Sequence, residues 1–324
     1  MPTISGTVYD HTGAAATGRV VRAYRRDTGT LLGSTVTSDG SPIAGDPHYA
    51  NVSLLLHCDG ADGSTTFTDS SAAPKNVTAF GNAKISTAQS VFGGASAAFD
   101  GAGDYLVAAD ALDWSFLHNN TNSFTLEVAV YWDGASADLT VMSTSAASAH
   151  VGALLSINGS AGRVASFQRF RGVSGAIQKW TSTTGVVNAG WSRIAFVFNS
   201  DTGIGSFFIN GVSAGSGLPT TFGSWSPSAA PPTYTLAIGR YQYSTPGGYF
   251  KGFLDELRIT KGVARYTADF TPPTAPHYDR LPADATLAGS YSITTAYTGE
   301  VQRIVLDDDA GDLYNDLIDR VILS

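Results

Sequence analysis

The stretch "STVTSDGSPIAGDPHYANVSLLLHCDG", Ser34 to Gly60, decides how the chain is organised. Its first part ends in Thr37-Ser38-Asp39-Gly40, a turn signal that normally hands one antiparallel strand to its partner. No partner follows. Ser41-Pro42, Gly45-Asp46 and Pro47 keep the chain irregular, and a new apolar run then opens from Val52 to Cys58. A strand is owed at Gly40, and the rest of the sequence must supply it.

Upstream, three strand patterns run from Ile4 to Tyr9, Arg19 to Arg25 and Leu31 to Val36, separated by turn residues at Asp10 to Gly13 and Asp27 to Gly29. Three short strands cannot enclose a core alone. Three more stand without partners at the other end, in "SYSITTAY", "EVQRIVLD" and "LIDRVIL". Joining "GSTVTSDG" to "AGSYSITT" makes a hairpin whose turn is interrupted by everything between Ser41 and Ala288. An exposed turn accepts such an insertion because its two ends already lie together. The sequence therefore predicts an all-β protein of two sandwich domains: a split one from residues 1–40 and 288–324, and an inserted one from 47–276, with 41–46 and 277–287 as linkers.

Composition agrees with the all-β reading and removes several functions. Glycine is abundant at 36 residues and charged residues make up only 14%, with valine, threonine, tyrosine and phenylalanine recurring in short runs. A net charge of −8, with no Lys/Arg cluster beside an aromatic platform, lacks the footprint of a nucleic-acid binder. "RVVRAYRR", Arg19 to Arg26, is the one basic stretch, and strand alternation makes it a solvated face. No apolar run reaches the roughly twenty residues of a membrane span. "MPTISGTVYD" has neither the basic nor the apolar region of a secretory signal, so the expectation is a soluble protein made in the cytoplasm. The single cysteine, Cys58, rules out an intrachain disulfide and reads as a small buried apolar residue.

The middle of the chain is a long series of short strands parted by glycine, serine and asparagine turns, the pattern of a two-sheet sandwich. The phrases "NVSLLLHCDGADGSTTFTDSS", "SVFGGASAAFDGAGDYLVAAD", "FTLEVAVYW", "WSRIAFVFNSDTGIGSFFINGVSAGSG" and "GGYFKGFLDELRITKGVARY" follow one another in an order that resembles the laminin-G-like, concanavalin A-like jelly rolls. The outer segments, "ISGTVYDHTGAAATGRVVRAYRRDTGTLLGSTVTSDG" with "GSYSITT", resemble carboxypeptidase regulatory-like domains of immunoglobulin-like or transthyretin-like architecture. The ending "VLDDDAGDLYNDLIDRVIL" resembles the variant of that domain common in tailed-phage structural proteins.

Trp132 and Trp191 alternate with apolar neighbours, so they are expected as core pillars between the sheets, and Phe99, Tyr105, Phe124 and Phe253 with them. The jelly-roll resemblance also brings in glucan hydrolases, which need paired carboxylates on one strand face, in a Glu-x-Asp-x-x-Glu motif. Here the three glutamates, Glu127, Glu256 and Glu300, fall on separate strands and no aspartate pair replaces the motif. "GVSAG", Gly211 to Gly215, matches a nucleophile-elbow string, but the Gly-Leu-Pro that follows cannot start the required helix. The six histidines show no ligand spacing. The expectation is a protein without catalytic activity.

Two kinds of site remain. The jelly-roll resemblance implies calcium, which takes six to eight oxygen ligands. Asp59, Asp62 and Asp69 by the opening strand and Asp255 on the closing one are the candidate ligands, with turn-forming roles as the alternative for Asp59 and Asp62. A second acidic run, Asp307 to Asp309 with Asp312 and Asp316, lacks the final glutamate of an EF-hand loop and reads as a solvated turn. For carbohydrate, flat sugar faces stack on exposed aromatics while hydroxyls meet polar side chains. "TFGSWSPSAAPP", "GRYQYSTPGGYF" and "IQKWTSTT" place Trp225, Arg240, Tyr241, Tyr243 and Trp180 outside clean strand alternation, and these are the expected ligand-binding residues.

Together these readings give a non-catalytic structural and adhesion protein of a tailed-phage virion, in which the jelly roll binds bacterial surface glycan. The partners expected are other virion proteins and copies of the same chain, a trimer included, with no nucleic acid and no membrane span. The alternative is a decoration module without glycan binding. A glycoside hydrolase would need the carboxylate pair that is missing.

Overall fold

The computed structural model describes residues 3–7, 20–25, 31–36, 45–109, 112–132, 139–144, 152–159, 162–171, 176–186, 189–222, 235–241, 248–279, 290–294, 300–307 and 321–322. The chain divides into two compact units, residues 1–45 with 282–324, and residues 46–281.

The smaller unit opens with β1 (Thr3–Thr7), β2 (Val20–Arg25) and β3 (Leu31–Val36). The larger continues with β4 (Val52–Leu56), β5 (Val77–Phe80), β6 (Lys84–Ser86), β7 (Ser96–Asp100), β8 (Tyr105–Ala108) and, after a 3-10 turn at Leu112–His118, β9 (Phe124–Trp132). Then come β10 (Leu139–Ser143), β11 (Gly152–Ile157), β12 (Val164–Arg171), β13 (Ala176–Gly185), β14 (Trp191–Asn199), β15 (Ile204–Ile209), β16 (Val212–Gly217), β17 (Thr220–Phe222), β18 (Leu236–Ile238) and β19 (Lys251–Lys261). The smaller unit resumes with β20 (Ser290–Thr294), β21 (Glu300–Asp307) and β22 (Val321–Ile322).

In the smaller unit the two ends of the chain pair. β20 runs antiparallel to β1, with Thr3 opposite Thr294, while β21 lies against β2 in a sheet ordered β22-β21-β2-β3. The join differs from the hairpin suggested by the Asp39-Gly40 turn. β3 pairs with β2, and β20 lies near β3 but bonds to β1. The two strands belong to different sheets, so the strand after the insertion crosses over instead of turning back.

The larger unit has two antiparallel sheets. One is ordered β17-β13-β12-β11-β10-β18-β8-β5, the other β16-β15-β14-β9-β19-β7-β6, with β4 also on β19. Strand alternation sends Phe124, Leu126, Val128, Val130 and Trp132 of β9 and Ile194, Phe196 and Phe198 of β14 inward, where they meet Phe167, Trp180 and Ile157 of the other sheet. The rings of Phe167 and Phe196 stack at 4.5 Å between centroids, and each such buried side chain is worth about 2 kcal/mol in area removed from water. Cys58 is buried in this core.

Of the aromatics expected there, Trp132, Phe99 and Phe124 are core, but Trp191, Tyr105 and Phe253 are not. Parity is the reason. Trp191 is out of phase with Ile194, Phe196 and Phe198, and Tyr105 precedes the buried Leu106. Trp191, Tyr131 and Phe253 instead form a half-exposed row across β14, β9 and β19, edge to face at 5.6 and 5.8 Å.

β19 is the hinge of the sheet. Its first half pairs with β7 and its second with β4, and a bulge between Asp255 and Arg258 puts Glu256 at φ 49. A bulge re-aims side chains, and here it lets acidic and basic groups gather on the sheet's outer side. Residues 262–279 cross that side: Ala264, Tyr266 and Phe270 pack on Ala195, Val197 and Phe208, and the Tyr266 and Phe270 rings stack at 3.6 Å.

Candidate functional site

The described carboxylates of the larger unit's sheets are occupied by the fold. Glu127 accepts from Arg258 Nε at 2.7 Å and from the Tyr266 hydroxyl at 2.6 Å. Burial works to raise its pKa, but Arg258 and its other partners override this and hold the carboxyl below its usual range. Glu256 accepts from the His277 amide and pairs with His57 Nδ1, both at 2.8 Å. Asp255 is fully buried and accepts the amides of Val91, Phe92 and Glu256, and burial pushes its pKa up to about 6. Glu127 and Glu256 line one small cavity of about 30 Å³ with Arg193 and His277, and both are already bonded within the fold, Glu127 to Arg258 and Tyr266 and Glu256 to His57 and the His277 amide.

The expected metal ligands do not converge. Asp69 takes the amides of Leu55, Ser71 and Lys75 and the Ser71 hydroxyl, which fills a structural role. Asp62 accepts the Thr87 amide. Asp59 lies against Gly93, where a Cβ would come within 1.7 Å of its carboxylate oxygen. Asp255 is committed as above. Among the described residues no three His, Cys, Asp or Glu side chains are grouped to hold a metal. Of the second acidic run only the backbone of Asp307 is described; Asp308, Asp309, Asp312 and Asp316 lie outside the described residues.

Of the expected carbohydrate-binding residues, Trp225 and Tyr243 lie outside the described residues. Trp180 is a correction. It is 5% exposed in β13, its indole N–H donates to the Gly217 carbonyl at 3.1 Å, and Phe167, Phe196 and Phe198 surround its ring. Its inward neighbours Gln178 and Ser182 are polar, which disguised the inward face as loop.

Arg240 and Tyr241 remain at the surface, half-buried, just after β18. Gly239, at φ 89, brings the chain there: its amide donates to Val141, its carbonyl accepts from Phe250, and a Cβ would strike the Phe99 ring at 2.8 Å. Only glycine meets both demands. The Arg240 guanidinium carbon then lies over Tyr105, 3.5 Å from the ring centroid, a separation short enough that the two planes must stack. Across β8, on the edge strand β5, Phe80 stacks on Tyr105 at 4.6 Å with 5° between planes, and Phe80 is 40% exposed. Because β8 lies between β18 and β5, the three side chains form one ladder, Phe80–Tyr105–Arg240, on the outer face of that sheet. Sequence reasoning found only Arg240. The signal for the others was present in the alternation of "VTAF" and "YLVA", where Phe80 and Tyr105 fall opposite the core-facing Ala79 and Leu106.

Residues 100–265 match the family described as the concanavalin A-like lectin/glucanases superfamily. None of the curated proteins matches the sequence. Solved structures similar to the chain include domain 4 of AbnA, a GH43 extracellular arabinanase from Geobacillus stearothermophilus in complex with arabinotriose, at 20% identity over 66% of this chain and 93% of that one, with a TM-score of 0.45. The botulinum neurotoxin serotype D binding domain is similar at 13% identity over 70% of this chain and 50% of that one, with a TM-score of 0.45. The chain thus spans about half the length of that toxin domain.

Proposed function

Because the chain belongs to the concanavalin A-like lectin/glucanases superfamily, we propose that its larger unit binds carbohydrate and does not cleave it. The observation that carries this is the Phe80–Tyr105–Arg240 ladder, an aromatic and cationic surface on the outer face of its sheet with Phe80 40% exposed. Sugars offer apolar C–H faces to rings and hydroxyls to charged donors, and the ladder presents both from side chains already stacked on β5, β8 and the turn after β18, so little ordering remains to be done. The carboxylates that hydrolysis would require are held by Arg258, Tyr266, His57 and backbone amides.

We propose the setting as a tailed-phage virion, with the smaller unit as the part that joins other virion proteins and the larger one displayed toward bacterial surface glycan. The resemblance of the terminal segments and the antiparallel pairing of β1 with β20 and β2 with β21 support it. A glycan array tests the binding. Signal that falls with Tyr105→Ala or Tyr241→Ala supports it, a clean negative across host polysaccharides favours a decoration module, and release of reducing sugar would restore the hydrolase. Electron microscopy of intact particles tests the setting.

A further inference from the structure

The larger unit's arginines divide by what they bond. Arg258 and Arg265 are paired with Glu127 and Asp46, and Arg169 donates to the Leu117 carbonyl and the Asn120 side chain. Arg240 differs. Its guanidinium has the shortest cation-to-ring distance among the described residues, 3.5 Å, against 4.1 to 5.6 Å for the closest contact of the other described cations that sit over a ring, and no described carboxylate pairs with it. Its Nε is buried without a hydrogen-bond partner. Asp104, next to Tyr105 in sequence, is buried and turned toward the amides of Asn82 and Asp100.

A guanidinium pressed flat on a ring keeps its donor edge in one plane, and that edge matches the two oxygens of a carboxylate. The Tyr105 ring fixes the plane and Gly239 fixes the backbone, so little freedom is lost when an anion arrives. Phe80, at the other end of the ladder, offers an apolar ring to an adjoining sugar. We infer that the ladder selects an acidic saccharide, one whose uronic or nonulosonic acid carboxylate is gripped by Arg240 while a neighbouring sugar lies on the exposed Phe80 ring.

This rests on the carbohydrate-binding reading and narrows it. The net charge of −8 repels an acidic polymer at long range, so selection must come from the local contact, within the ~8 Å over which charges are felt at physiological salt. Nothing here depends on steering.

The test compares binding to polygalacturonate and polysialic acid with binding to carboxyl-reduced polygalacturonate, for the intact chain and the variants Arg240→Gln, Arg240→Lys and Tyr105→Ala. Carboxyl reduction is expected to weaken binding by roughly tenfold or more, the worth of a charge-assisted hydrogen-bond pair. Arg240→Gln is expected to bring the acidic polymers down to the reduced one's level, and Arg240→Lys to recover part of the loss by charge without the fork. Tyr105→Ala removes both the platform under Arg240 and the ring that supports Phe80, so it weakens acidic and neutral polymers, the acidic ones more. Thermal midpoints of the variants within a few degrees of the parent show that the fold is intact. Should the reduced polymer bind as tightly as the acidic one, or Arg240→Gln leave affinity unchanged, the inference is overturned while carbohydrate binding stands. No binding to any polysaccharide overturns both.

Discussion

Arg258 Nε donates to Glu127 Oε2 at 2.7 Å, and the same guanidinium reaches Asp46 Oδ2 at 3.1 Å. One side chain on β19 thereby ties the central strand β9 to the residue where the larger unit begins. Arg265 grips Asp46 by two further bonds, at 2.7 and 3.0 Å, and Tyr266 closes on Glu127, so the segment crossing the sheet is locked by the same acids. Glu127→Gln keeps the shape and removes one charge, leaving Arg258 buried and undercompensated. The expected loss is about 3 to 5 kcal/mol in chemical unfolding, with the acid limb of the pH profile below the unfolded glutamate value flattened. The sign follows from the lowered pKa: the pair's contribution is complete above that value and disappears as pH falls through the folded one.

Arg169 poses the opposite problem. It is fully buried among rings and two acceptors: its guanidinium lies 4.1 Å from the Phe198 centroid and 5.4 Å from Trp180, with Nη2 unpartnered and its pKa pulled down to about 9 by burial. A buried cation without a carboxylate is costly. Arg169→Met keeps most of the volume and removes the charge, and is expected to leave the thermal midpoint unchanged or raise it. Arg169→Ala opens a cavity and should lower stability by about 3 kcal/mol. A large fall in the methionine variant would show that the bonds to Leu117 and Asn120 outweigh the charge.

How far the sequence could be read shows in two tryptophans and one bulge. Trp132 and Trp191 look alike in "AVYWD" and "GWSRIA", yet one is core and the other lies on the surface, because parity counted back from Phe196 puts Trp191 outward. That count was available from sequence. Trp180 was obscured by polar inward neighbours, and the Glu256 bulge by having no local signature, since it arises where β7 and β4 share one edge of β19. The ladder was half legible: Arg240 stood out, whereas Phe80 and Tyr105 meet only through the pairing of β5 with β8. Strand content is local; partners are not.

His118 gives the molecule an acid sensitivity of its own. It is buried, with Nε2 2.5 Å from the Thr144 hydroxyl, Nδ1 has no partner, and burial, with Arg169 nearby, lowers its pKa to about 4. In either tautomer a second ring proton would be buried without a good bond. The unfolded ring takes that proton near pH 6.5, so stability is expected to fall between about pH 6.5 and 4, by up to ~3 kcal/mol. His118→Gln, which can keep the bond to Thr144, should flatten that limb in thermal unfolding measured at pH 4.5 and 7.5. An unchanged difference between the two pH values would assign the loss to other groups.

Gly239 links the fold to the proposed site, and a single methyl group tests the link. At φ 89 an L side chain is strained, and its Cβ would meet Phe99 at 2.8 Å inside the core. Gly239→Ala is therefore expected to cost about 1 to 3 kcal/mol in stability, through the backbone term and a displaced ring. The larger effect should appear in binding. Relief of the clash moves the chain between Ile238 and Tyr241, and with it the guanidinium that must lie flat on Tyr105. Polysaccharide binding by the folded variant should then fall about as far as in Arg240→Gln, although residue 239 touches no ligand. Binding retained in full by a destabilised Gly239→Ala protein would mean that the Arg240 position is set by something other than the turn before it.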